Sequence, residues 1–156
     1  ARQAEHQRAA AFHDLSVRDQ KMFSHATMPR GTARGYARIM ERVYAGALLS
    51  EGISKAMRVF LEWPMEHEKI KKDFEAIGSK GGSLPGILTG ATYAKLKGGE
   101  PARVCALFFE DMPIGVWLGM MQSFVQQNFE QRLLTDKAFF ETVRQALAAP
   151  PAEATN

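Results

Sequence analysis

The chain has a single cysteine, Cys105, among its 156 residues. No disulfide can form within it, a zinc site built on cysteines is excluded, and Cys105, inside VCALFF, reads as a small buried hydrophobe. Histidine is scarce as well: His6, His13, His25 and His67 share no metal-ligand spacing, and HEK at 67–69 lacks the second histidine of a zinc-protease helix. No metal and no cofactor is expected. No apolar stretch approaches the roughly 20 residues a bilayer span needs, so no membrane span is expected, and no apolar signal segment opens the chain. A dominant charge is also missing. The 20 Lys and Arg stand against 17 Asp and Glu, net +3, and the basic residues are scattered, which argues against a nucleic-acid partner. The first residue is Ala rather than Met, so the expectation is a processed product or a piece of a longer chain.

What is present suits one domain: 46% hydrophobic and 24% charged residues allow a single core and leave little for a second. Residues 1–12 favour helix by propensity. Ser16, with Asp19 three positions on, is the acidic variant of a capping box and opens a short helical turn. Thr27, with Pro29 just inside, reads as the start of a long helix in which Ala33, Tyr36, Ala37, Met40, Val43, Tyr44 and Leu48 recur at spacings of three and four, with Gly46 near its expected end. Ser50 caps the next helix, whose stripe Ile53, Met57, Phe60, Leu61 stops at Pro64. MEHEKIKKDF reads as a short exposed helix, with KIKKDFE a solvated face.

The period then changes. IGSKGG, ILTGATYAKLK and ARVCALFFE read as three strands, the last two joined through Gly98 and Gly99, a hairpin signal because tight turns need positive φ. The unbroken run 104–109 predicts a central strand covered on both faces. Asp111 and Pro113 start a helix with Trp117, Met121, Phe124, Val125 and Phe129 on one side, Met120 and Met121 among its core residues, and a last helix runs from about Asp136 to Leu147. The fold class is therefore α+β, an antiparallel three-stranded sheet with flanking helices. The expected organisation is one unit over 1–148, with a helical part at 1–75, strands and closing helix at 76–132 and an extra helix at 136–148, followed by a loose tail at 149–156.

The chemistry concentrates in GSKGGSLPG, residues 78–86. It is not a phosphate loop, because Lys80 precedes the glycines and no Lys-Ser or Lys-Thr opens a helix after them. It is not a nucleophile elbow, because GGSLPG misses the G-x-S-x-G pattern by a residue and sits between strands. A lysine at the end of a strand, followed by glycines that let a ligand approach the backbone, resembles instead the K-T-G signature of the penicillin-recognising serine enzymes: class A β-lactamases, D-alanyl-D-alanine peptidases and their serine hydrolase relatives. The likeness extends over roughly residues 26–132. ATMPRGTARGYARIMERVYAGALLS is similar to the family's helix after the loop bordering the active site. GSKGGSLPGILTGATYAKLKGGEPARVCALFFED is similar to its third, fourth and fifth strands, and IGVWLGMMQSFVQQNF to its closing helix.

The resemblance implies roles. Lys80 supplies positive potential and orients the substrate beside the nucleophile. Gly81 and Gly82 keep the strand edge open, and the Ser83 N–H serves an oxyanion. The substrate is a small molecule or peptide, namely a β-lactam, a D-alanyl peptide or an ester, attacked through an acyl-serine. The setting implied is periplasmic or secreted. Departures are equally concrete. Gly81 stands where the family carries Thr or Ser, leaving Ser79 or Ser83 to replace that hydroxyl in part. None of Ser16, Ser24, Ser50, Ser54, Ser79, Ser83 and Ser123 has a lysine three residues later, and Ser-Asp-Asn and Tyr-x-Asn are absent. Phe12 falls where class A enzymes place the glutamate for deacylation, with Asp14 the nearest carboxylate. The expectation is the C-terminal part of the fold, with the nucleophile supplied by a companion N-terminal segment or the open surface covered by homo-oligomerisation. The alternative is a non-catalytic binding or structural module, or one half of a two-chain assembly.

Overall fold

Hydroxyl caps set where three of the helices begin. In the computed structural model, which describes residues 16–148, Ser16 accepts from the Asp19 N–H (3.2 Å) and opens α1, Val17–Thr27. Thr32 accepts from Gly35 N–H (3.0 Å) and opens α2, Ala33–Tyr44; Ser50 accepts from Ile53 N–H (3.3 Å) and opens α3, Glu51–Leu61. The capping box thus launches three turns of helix, not one. Thr27 does not cap the next helix. Pro29 forces Met28 into an extended conformation (φ −77°, ψ 142°), which ends α1, and the Thr27 hydroxyl turns back to donate to Phe23 O at 2.7 Å. Gly46, at φ 74°, follows the end of α2 as expected.

A 3₁₀ turn at Trp63–Glu66 and the short α4, Glu68–Asp73, lead into the sheet. Strand β1 spans Phe74–Leu84, β2 Ile87–Leu96 and β3 Arg103–Phe109. Pro85 and Gly86 (φ 79°) make the first turn, as a type II turn requires. Gly98 and Gly99 take positive φ of 104° and 87° within the longer connection 97–102. All pairing is antiparallel in the order β1-β2-β3, with Lys80 opposite Ala91 and Thr92 opposite Cys105.

The central strand is β2. The expectation that the run 104–109 is central is corrected: β3 is an edge whose residues are all half-buried. Its apolar continuity comes from helices on both faces, α2 on one and α6 on the other, and not from strands on both sides. The single helix expected after Pro113 is also two, α5 at Ile114–Ser123 and α6 at Val125–Thr135, because Phe124 sits in the left-handed region at φ 52°. No residue of α5 is buried, so its Trp117, Met120 and Met121 are not core. The last helix, α7, is Lys137–Ala148, and the Asp136 carboxylate accepts from Phe139 N–H at its start (2.9 Å).

The result is α+β, a three-stranded antiparallel sheet with seven α-helices among the described residues. The proposed helix at 1–12 and the tail at 149–156 lie outside them. Side chains alternate across the sheet. Ala91 and Tyr93 pack with Met40, Val43 and Leu61 under α2 and α3. Phe74, Ile77 and Ala94 pack with Leu134 under α6. None of these helices is long and apolar enough to cross a membrane.

Candidate functional site

The strand pairing decides which backbone groups of β1 face outward. Leu84 and Ile87 flank the two-residue turn and form a hydrogen-bonded pair, so alternation directs the N–H and C=O of Lys80 and Gly82 toward β2 and those of Ser79, Gly81 and Ser83 toward the free edge. Two contacts agree with this. Ser79 O accepts from Trp63 Nε1–H at 3.4 Å, and Gly81 O accepts from the Lys80 ammonium. The outward N–H of Ser83 therefore lies on the same strand edge as Lys80.

Lys80, Gly81 and Gly82 line a cleft of about 570 Å³ between this edge, the α1–α2 connection, α2 and α3. Its walls are mostly apolar, with Met28, Ile39, Met40, Met57 and Leu61 prominent. Its lining includes the basic residues Lys80, Arg30 and His25 and the acidic Glu110. Among the described residues Lys80 has no carboxylate partner, its ammonium bonding only to Gly81 O. Arg30 donates to His25 O at 3.0 Å. His25 Nε2 lies 3.4 Å from Asp111 Oδ1 but forms no hydrogen bond with it. The two glycines differ. A Cβ on Gly81 would meet Thr89 O at an ordinary 3.6 Å, whereas one on Gly82 would come within 2.9 Å of Thr89 Oγ1.

The side chains of Ser79 and Ser83 do not join the cleft. Both sit on odd positions and face the opposite side of the sheet. Ser83 Oγ accepts from Trp117 Nε1–H and donates to Met121 Sδ, each at 3.0 Å. Ser79 Oγ bonds Thr92 Oγ1 at 3.0 Å. Both hydroxyls are engaged on the face away from Lys80, and residue 81 shares that face by the same alternation. Two hydroxyls that line the cleft are engaged: Ser24 Oγ donates to Gln20 O at 2.8 Å, and Thr89 Oγ1 reaches Gly82 O at 3.4 Å.

Two polar networks that sequence reasoning missed hold the cleft's walls. Beneath α3, Tyr93, wholly buried, donates to Glu62 Oε1 at 2.9 Å, and Arg58 Nε donates to the same oxygen at 2.7 Å while lying over the Tyr44 ring. Burial, then the Glu62 carboxylate, holds the Tyr93 phenol well above its ordinary value, so it remains a donor. On the far face, the buried Glu130 bonds Thr92 Oγ1 through Oε2 and accepts from Gln126 Nε2 at Oε1, both at 3.1 Å. No local signal announces either network, since Glu62 and Glu130 each sit in helical segments where a glutamate normally faces water.

Among the described residues no group of three His, Cys, Asp or Glu side chains is placed to hold a metal. The fold and site define an α+β domain with a lysine-bearing, glycine-rich strand edge above an apolar cleft. No family model, curated protein or solved structure matches the chain.

Proposed function

We propose that this chain is the C-terminal portion of a serine hydrolase of the β-lactamase and penicillin-recognising type. One observation carries the reading: Lys80, without a carboxylate partner among the described residues, stands between a strand edge that offers the Ser83 N–H and an apolar cleft able to receive another element. In this reading Lys80 attracts and orients a substrate carbonyl or carboxylate, the outward groups of Gly81 and Ser83 bind the acyl portion as a strand would, and the Ser83 N–H stabilises the oxyanion.

The serine and its lysine base come from a companion N-terminal segment. Its apolar helix seats in the cleft against Met40, Met57 and Leu61, and its strand pairs with the open edge of β3. Exposed Val59 (74%), Phe60 (80%) and Trp63 (52%) on and after α3 provide further surface for the same segment. A second reading, a binding module without chemistry, draws on the cleft hydroxyls Ser24 and Thr89, each already bonded to backbone and without a base.

Intact-mass spectrometry after incubation with a fluorescent penicillin separates these readings, with the chain alone and with extract of its source. Labelling of a co-purifying companion, lost with Lys80→Ala, is the expected result. An adduct on this chain alone would overturn the claim that the nucleophile lies elsewhere. Silence in both samples would favour the binding module.

A further inference from the structure

Glu130 is 5% exposed, and among the described residues no cation pairs with it. A carboxylate so placed is costly unless paired, yet its hydrogen-bond partners among the described residues are neutral: Thr92 Oγ1 on Oε2 and Gln126 Nε2 on Oε1. The described groups around it are otherwise engaged. From β3 it is faced by Cys105, whose thiol burial pushes up to about 12 and so keeps neutral. Arg103 of β3 is taken by Glu100 (2.6 Å) and Leu134 O, Arg132 of α6 by Asp136 (3.2 Å), and Lys137 of α7 by Glu100 (2.5 Å). α5 carries no titratable residue, β1 presents Ser79 on this face, and Lys80 projects from the other. The space for the carboxyl exists because residue 90 is glycine; a Cβ there would stand 1.8 Å from Glu130 Oε1.

The chain of hydroxyls leads to the candidate site. Thr92 Oγ1 bonds Ser79 Oγ, and Ser79 is the residue before Lys80. With a proton on Oε2 the bonds run from Glu130 to Thr92 to Ser79; with the carboxylate ionised they run the other way, and a bare charge remains buried. We propose that Glu130, held as the neutral acid, is a positioning residue for the Lys80 strand, and that its loss of a proton loosens β1 from β2.

Burial raises the Glu130 carboxyl above the ordinary carboxylate range, opposed by the Gln126 and Thr92 hydrogen bonds. The sign follows. Below the unfolded carboxylate value both folded and open states hold the proton and stability is full. As pH rises toward the raised value, only the closed state still holds it, so stability falls, by up to a factor of ten per pH unit.

Amide hydrogen exchange on the intact chain between pH 4 and 8 tests this, together with the ¹³C titration of the Glu130 carboxyl. It requires no substrate, so it fails or succeeds separately from the hydrolase reading. The expected result is a Glu130 titration above the ordinary range, with Lys80 and Gly82 protection factors falling, by up to tenfold per pH unit, as pH rises from the ordinary carboxylate range toward it. Glu130→Gln, which keeps the shape and both bonds, should abolish that fall, and Thr92→Val should uncouple Lys80 from Glu130. An ordinary Glu130 titration, or protection that does not change with pH in the wild type, would overturn the proposal without any variant. The same fall in Glu130→Gln would overturn it as well.

Discussion

Replacing Gly78 with alanine should be among the most destabilising single-methyl additions in this chain. A Cβ at Gly78 would lie 2.3 Å from Tyr93 Cζ, 2.4 Å from Oη and 2.5 Å from Cε1. Ordinary contact requires a retreat of about 1 Å, because van der Waals separation begins near 3.4 Å. The ring has nowhere to go: it is 0% exposed, its centroid is 5.4 Å from that of Tyr44, and its hydroxyl is fixed to Glu62 at 2.9 Å. Overpacking of this kind costs about 1–3 kcal/mol. A shift of the ring also strains or breaks the bond to Glu62, leaving a buried polar group unpaired for about 1–3 kcal/mol more.

The expected loss is therefore about 3 kcal/mol, read as a lower urea midpoint with unchanged slope. A double-mutant cycle isolates the cause. In a Tyr93→Leu background the ring is gone, and Gly78→Ala should cost well under half as much. A Gly78→Ala variant within about 0.5 kcal/mol of wild type, or strictly additive losses in the cycle, would refute the assignment of Gly78 as the space that admits Tyr93.

Three further outcomes follow from the same geometry. Cys105, with its thiol pushed up to about 12 by burial and then by Glu130, should resist thiol reagents at pH 8 in the folded protein and react at once in denaturant; rapid native labelling would contradict its placement between β3 and α6. Phe124→Gly should stabilise the chain by roughly 0.5–1 kcal/mol, because φ 52° suits glycine and the ring is 62% exposed, and a loss of stability by thermal denaturation would show that the ring is anchored. Gly81→Thr should fold within about 0.5 kcal/mol of wild type in urea, since its Cβ meets only Thr89 O at 3.6 Å, and a larger loss would show that the space at residue 81 is closed.

The sequence by itself determined the order of elements and most of their starts. Caps at Ser16 and Ser50, the turn glycines Gly98 and Gly99, and the apolar period of α2 and α3 are local signals, because each rests on hydrogen bonds or backbone angles within a few residues. Lys80 and its glycines were legible for the same reason, as a short stretch with an unusual composition. One local signal was overridden by a neighbour: Thr27 suits a cap, but Pro29 ended one helix there, and Thr32 caps the next.

Only the tertiary structure decided which strand is central, which face each serine takes, and where the buried polar groups meet. A run such as VCALFF reads alike whether strands or helices cover it, so its composition cannot tell the edge strand β3 from the middle of the sheet. Ser79 and Ser83 follow the strand's period of two, and their side chains left the cleft once Lys80 entered it. Glu130 and Thr92 are 38 residues apart, as are Ser83 and Met121. Contacts across such separations depend on how helices settle on a sheet, a property of the packed whole that no local pattern encodes.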